Sequence, residues 1–205
     1  MNKFDKLIMV VKRQVLLADD HFDGFKPKDD IDFESRILKH HRYMKRGLAE
    51  HDPGHKQPIA YIIIVNPQTK KVFAYQRASH DSQYSEKRLQ GKWSWGLGGH
   101  IDKIDGADDN PIRASMRREL AEEAEVTVDA LRVLGYINSD TDDVGKVHFG
   151  ILYVIETRQG AVMPKAPEID HGTFMSIDEL QVLCATADVE DWSRIALGPL
   201  ISYLG

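Results

Sequence analysis

The 205-residue chain has a net charge of −5, with 42% hydrophobic and 29% charged residues. That balance is ordinary for a globular protein and argues against general nucleic-acid binding. Its single cysteine, Cys184, excludes an intrachain disulfide framework and a cysteine-based zinc site, which fits a reducing compartment. No apolar run reaches the length of a membrane span, and the opening Met-Asn-Lys-Phe-Asp-Lys has no apolar signal-peptide core. A cytoplasmic protein without a membrane partner is expected, built as one domain with an extension.

In chain order, Leu7 to Val11 reads as a short strand, and Asp19 to Asp32 is acidic and turn-rich. Phe33 to Gly47 predicts a helix capped at Gly47. Its basic second half, Lys39 to Arg46, is read as a solvated face. His51-Asp-Pro-Gly-His55 is a turn. Pro53-Gly54 forbids the helix that would set His51 and His55 on one metal. This turn marks the expected boundary between an N-terminal extension, residues 1–56, and the main domain, residues 57–205.

Ile59 to Val65, the turn Asn66-Pro67-Gln-Thr and Lys71 to Arg77 predict a hairpin that ends on a cation, Arg77. Ser79 to Lys92 is a polar loop of the length of a substrate lid, carrying Glu86, Lys87 and Arg88. Further on, Leu131 to Ile137 reads as a strand, followed by the acidic turn Asn138-Ser-Asp-Thr-Asp-Asp143. Asp142 and Asp143 there are candidate extra acids, against the simpler reading of a solvated turn. Val147 to Glu156 is a long apolar strand on which His148 reads as a core or edge residue rather than a ligand. Glu168 lies in a later loop, Ser176-Ile-Asp-Glu179 has the form of a capping box, and a final helix is expected from Asp191 to Tyr203, kinked at Gly198-Pro199.

The stretch with the strongest chemical signal is Trp93 to Val126. An apolar strand, Trp93 to Leu97, runs into Gly98-Gly99-His100. Glycines there let backbone approach a metal or a phosphate. After a polar loop, Asn110-Pro111 starts a helix, Asn as cap and Pro at the first helical position. Glu119, Glu122 and Glu123 then stand at i, i+3 and i+4 and share one helix face. Bunched like charges repel, and a bound divalent cation would relieve them. Mg²⁺ suits such a site because it takes oxygen ligands and bridges to phosphates. A merely solvated acidic face is the bland alternative.

Gly99 followed by Arg118-Glu-Leu-Ala-Glu-Glu-Ala-Glu-Val126 resembles the Nudix box, whose pattern is G-x5-E-x7-R-E-U-x-E-E-x-G-U with U a bulky apolar residue. Two departures stand out. The closing Gly is Glu125 here, and the loop is five residues longer than the strict pattern. Counted from Gly99 the first Glu of the pattern falls on Asp105; counted back from Arg118 it falls on Asn110. A Gly-Gly-His-Ile-Asp turn with a long loop is similar to the branch of predicted phosphoesterases of the MutT type.

The resemblance implies an α/β fold with a mixed sheet in an α-β-α sandwich. It implies an Mg²⁺-dependent hydrolase, with Mn²⁺ able to substitute, that cleaves a phosphoanhydride bond in a nucleoside diphosphate linked to another moiety. Glu119, Glu122 and Glu123 would be metal ligands, with a carbonyl of Gly98 or Gly99. Arg118 would orient a glutamate, and Glu123 or a loop acid such as Glu168 or Asp143 would be the base. Arg77, Gly98, Gly99 and His100 would line the substrate. Family analogy allows a homodimer. A catalytically idle nucleotide-binding module is the alternative. An isopentenyl-diphosphate-isomerase-like enzyme is disfavoured, because that chemistry uses a cysteine upstream of the box and Cys184 lies well downstream.

Overall fold

A computed structural model describes residues 2–78, 89–107, 110–167 and 169–205. Among them the elements run β1 (Leu7–Lys12), α1 (Arg13–Leu17), β2 (Gly24–Pro27), α2 (Phe33–His40), β3 (Arg42–Lys45), α3 (Arg46–Ala49), β4 (His55–Asn66), β5 (Lys71–Arg77), β6 (Trp93–Ser94), α4 (Pro111–Glu123), β7 (Ala124–Glu125), β8 (Ala130–Asn138), β9 (His148–Glu156), β10 (Met163–Pro164), β11 (Ile169–Ser176), α5 (Ile177–Thr186) and α6 (Asp191–Leu204). Helices with a mixed sheet make the α/β fold that the sequence predicts.

The chain forms two compact units. The first holds Met1–Tyr61, Gly98–Glu119 and Val133–Leu152; the second holds Ile62–Leu97, Leu120–Arg132 and Tyr153–Gly205. Elements β4, β8, β9 and α4 each begin in one unit and end in the other.

In the first unit, β1 is buried through Ile8, Met9, Val10 and Val11. A strand buried on both faces needs partners on both edges. It pairs antiparallel with β3 from Leu7↔Lys45 to Val10↔Arg42, and with the start of β4 at Val11↔Lys56. The helix expected from Phe33 to Gly47 is therefore corrected. It stops at His40, and Arg42–Lys45 becomes a strand, because β1 offers an unpaired edge that overrides helix propensity. Gly47 is no cap; it lies inside α3 with Phe4 packed against it. An aromatic cluster of Phe22, Phe33, Tyr136 and Phe149 anchors α2, with ring centroids 5.0–6.0 Å apart. In the same unit, Lys56 is fully buried. Its ammonium donates to Asp140 at 2.9 Å and to the Gly145 carbonyl at 2.7 Å, while Arg13 grips the same carboxylate.

In the second unit, β5 pairs antiparallel with β11, with β6 and, through Val72↔Val65, with the end of β4. The β4–β5 turn is tied by Asn66, whose side chain accepts from the Gln68 and Thr69 amides. This is the predicted hairpin, although β4 starts at His55, earlier than expected. The capping box on α5 is complete. Ser176 Oγ accepts from the Glu179 amide, and the Glu179 carboxylate accepts from the Ser176 amide. The last helix runs to Leu204 with Pro199 inside it. Among the described residues no helix is long and apolar enough to cross a membrane.

Candidate active site

Helix α4 starts as its sequence dictates. Asn110 Oδ1 accepts from the Arg113 amide at 3.1 Å, and Pro111 is the first helical residue. Ile112, Ser115 and Met116 are buried, which fixes the rotation of the helix. Glu119, Glu122 and Glu123 follow on its last two turns. The helix ends at Glu123, and Ala124–Glu125 leave it extended, paired with Met163–Pro164. Glu125 has no positive φ. The position where the box pattern has Gly is thus an exit into a strand, which any side chain tolerates.

Upstream, Gly98 has φ +133°, a conformation that side chains rarely adopt, and a Cβ there would overlap the Ala60 carbonyl oxygen. At Gly99 the reason for glycine is different. A Cβ would stand 2.6 Å from Glu119 Oε1 and 2.7 Å from Oε2. The missing side chain is the space that the Glu119 carboxylate occupies.

Arg118 organises this part of the site. Its Nε donates to Asp105 Oδ1 at 3.0 Å and its Nη2 to Asp105 Oδ2 at 2.9 Å. Nη1 donates to Glu119 Oε1 at 2.6 Å, and Nη2 also reaches the His100 carbonyl at 3.0 Å. These carboxylates raise the guanidinium's pKa further, so its charge is permanent. The two ways of counting the box loop are resolved. Asp105 takes Arg118 and Asn110 caps the helix, so the extra length falls between them. Asp105 is buried in a 3-10 turn, Lys103–Ala107, and also accepts from the Asp102 amide at 2.8 Å. The N-terminal stretch braces this turn. Ile8 bridges Asp102, the Met9 amide donates to the Ile101 carbonyl at 2.8 Å, and a Cβ on Gly106 would meet the Tyr43 hydroxyl at 2.6 Å.

The other candidates are placed as follows. Arg77 Nε donates to Glu190, which is buried and also accepts from Ser94 Oγ at 2.8 Å. Asp143 pairs with Lys146 at 3.0 Å, and Asp142 accepts from the Gly145 amide at 2.7 Å. Glu168 and the loop acids and cations Glu86, Lys87 and Arg88 lie outside the described residues. His100 turns its side chain away from the helix and toward Gln57, His148 and Glu50, at 2.7, 3.2 and 3.7 Å from its Nε2. Burial and the surrounding cations hold its pKa well below the usual range, so the imidazole is neutral. That cluster was not foreseen, since nothing in the spacing of Glu50, His100 and His148 brings them together.

A glycine turn abutting a carboxylate-bearing helix, in an α/β fold with a mixed sheet, defines a class of site suited to divalent cations and phosphates. The NUDIX domain family matches residues 55–196, and the chain belongs to that family. Protein YmaB of Bacillus subtilis (strain 168) is 34% identical over 207 residues, covering 96% of this chain and 98% of the relative. The crystal structure of Tm1382 superposes with a TM-score of 0.80 at 27% identity, covering 97% of this chain and 100% of that one. The NUDIX domain of Shewanella oneidensis NrtR, solved with ADP ribose, shares the fold at a TM-score of 0.57 and 17% identity, over 77% of this chain and 96% of that one. The protein is a Nudix-type hydrolase acting on pyrophosphate bonds.

Proposed function

We propose that this chain is an Mg²⁺-dependent hydrolase that cleaves the phosphoanhydride of a nucleoside diphosphate linked to another moiety. The observation that carries the reading is the Gly99–Glu119 contact. Glycine at this position leaves a cradle that a Cβ would fill, and a carboxylate sits in it. The donor set is all oxygen, as Mg²⁺ requires. Glu119, Glu122 and Glu123, with the carbonyl of Gly98 or Gly99, would hold the ion; Mn²⁺ would serve in its place. When bound, the metal supplies charge neutralisation on the phosphates and a more acidic water.

The chain's own groups do the rest. Arg118 orients Glu119 rather than binding substrate, braced by its hydrogen bonds to Asp105 and the His100 carbonyl. Glu123, or an acid from a later loop such as Glu168, takes the proton from the attacking water. Arg77 is a candidate for contact with the substrate beyond its bond to Glu190. The ADP ribose held by the NrtR domain makes that compound the first of the substrate panel, beside NADH, diadenosine polyphosphates, nucleoside triphosphates, CoA and sugar nucleotides. Product analysis in ¹⁸O water with Mg²⁺ tests the proposal. One panel member should yield two phosphate-bearing products, one of them labelled. No turnover across the panel contradicts it.

A further inference from the structure

We infer that Glu50, His100 and His148 form a second metal site, built for a first-row transition ion of the Zn²⁺ kind and separate from the glutamates of α4. All three lie in the first unit and come from distant stretches: the end of α3, the turn after Gly99 and the first residue of β9. One ligand atom from each falls within 4.8 Å of the others.

Two of the spacings are near those of a coordination shell. Two ligands held tetrahedrally at about 2.1 Å from Zn²⁺ stand roughly 3.3–3.4 Å apart. Here the His100 and His148 Nε2 atoms are 3.2 Å apart, and Glu50 Oε1 is 3.7 Å from His100 Nε2. Two imidazoles are borderline donors, and with a carboxylate beside them they make a set that suits Zn²⁺ rather than Mg²⁺.

The groups behind the ligands are arranged to serve them. His148 Nδ1 faces the Val144 carbonyl at 2.7 Å and must carry the proton there, which leaves the Nε2 lone pair directed at His100. Arg46 Nε donates to Glu50 Oε1 at 3.1 Å and steadies the carboxylate. Fixing a ligand histidine through its other nitrogen, and a ligand carboxylate through a hydrogen bond, is the usual outer support of a metal site.

One candidate ligand atom of the cluster has no partner of its own. Glu50 Oε2 is buried and has no hydrogen-bond partner, and Gln57 is fully buried with its Oε1 2.7 Å from His100 Nε2. A buried polar atom left unpaired is costly. A cation on the two Nε2 atoms and the Glu50 carboxylate gives that carboxylate its missing partner, with the Gln57 Oε1 close by.

The test uses the full-length protein, stripped with a chelator, given Zn²⁺ in excess Mg²⁺, and desalted. Elemental analysis should find about one Zn²⁺ per chain, and Zn K-edge X-ray absorption should show two imidazole nitrogens in the shell. His148→Ala and Glu50→Gln should each weaken retention at least ~10-fold, with far-UV circular dichroism unchanged. No retained Zn²⁺, a shell of oxygens alone, or unchanged retention in both variants overturns the site. If a variant does not fold, the shell of the wild-type protein decides.

Discussion

Arg118 and Asp105 meet as a two-pronged pair, Nε to Oδ1 at 3.0 Å and Nη2 to Oδ2 at 2.9 Å, with the carboxylate almost wholly buried. The pair fixes the guanidinium so that its remaining nitrogen can hold Glu119. Lysine keeps the charge but cannot reproduce the fork. Arg118→Lys should lower kcat by roughly 10–100-fold through a misplaced Glu119, about 1.4–2.7 kcal/mol of transition-state stabilisation, with KM changed little. Steady-state kinetics on the substrate found in the panel would check this. Wild-type kcat would show that Arg118 does not position the site.

The two glycines before His100 should fail in different ways. At Gly99 the atom in the way of a Cβ is the end of a glutamate side chain, which can move. Gly99→Ala should therefore fold with a near-normal Tm and lose most of its activity, because the displaced group is Glu119. At Gly98 the obstacle is the Ala60 backbone, and φ is +133°. Gly98→Ala should lose stability first, by more than about 1 kcal/mol. Thermal melts beside kinetics separate the two outcomes.

How much of this was legible in the chain depends on how far apart the interacting residues lie. The start of α4, the i, i+3, i+4 glutamates and the α5 capping box are local patterns, and the structure has each of them. The strand at Arg42–Lys45 was misread because its cause, the open edge of β1, lies more than thirty residues away and outweighs helix propensity. Asp105 could be counted but not chosen, since only folding shows which acid reaches Arg118. Arg77 was visible as a strand-end cation, whereas its bond to Glu190 spans 113 residues. Glu50 gave no signal and His148 reads as a core or edge residue, because their relation to His100 is only spatial.

The buried Lys56 should make stability depend on pH through Asp140. Arg13 and Lys56 hold the Asp140 carboxyl well below the usual carboxylate range, and burial lowers Lys56 to about 8. A depressed carboxyl contributes stability that is fully present above its unfolded pKa, about 3.9, and is lost progressively as pH falls from there through its lower folded value. Asp140→Asn should cost about 2–3 kcal/mol at pH 7, roughly 5–10 °C in Tm. The gap between wild type and variant should be flat between pH 4.5 and 7.5 on the order-of-magnitude scale of these shifts. It should narrow below that range as Asp140 of the unfolded chain takes up a proton, and above it as Lys56 loses its proton. A gap that is constant from pH 3 to 9, as a rough span, would rule this network out as the source.

Ser176→Ala removes one half of the capping box on α5. It should destabilise by about 1 kcal/mol and leave kcat and KM unchanged, because among the described residues the side chain of Ser176 caps only its own helix, through Glu179. Chemical denaturation and kinetics check both halves. A fall in kcat would mean that α5 supports catalysis.

The central claim is that the glutamates of α4 act on a pyrophosphate bond with Mg²⁺. Glu123→Gln keeps the shape of the side chain and removes its charge and basicity. The most direct measurement is kcat/KM of wild type and Glu123→Gln on the panel substrate, in Mg²⁺ and after chelation. The account predicts a loss of at least ~100-fold in the variant, ~2.7 kcal/mol, and wild-type activity that disappears with chelator and returns with Mg²⁺. Turnover by Glu123→Gln within about threefold of wild type, well under 1 kcal/mol, or wild-type activity indifferent to chelation, would contradict it.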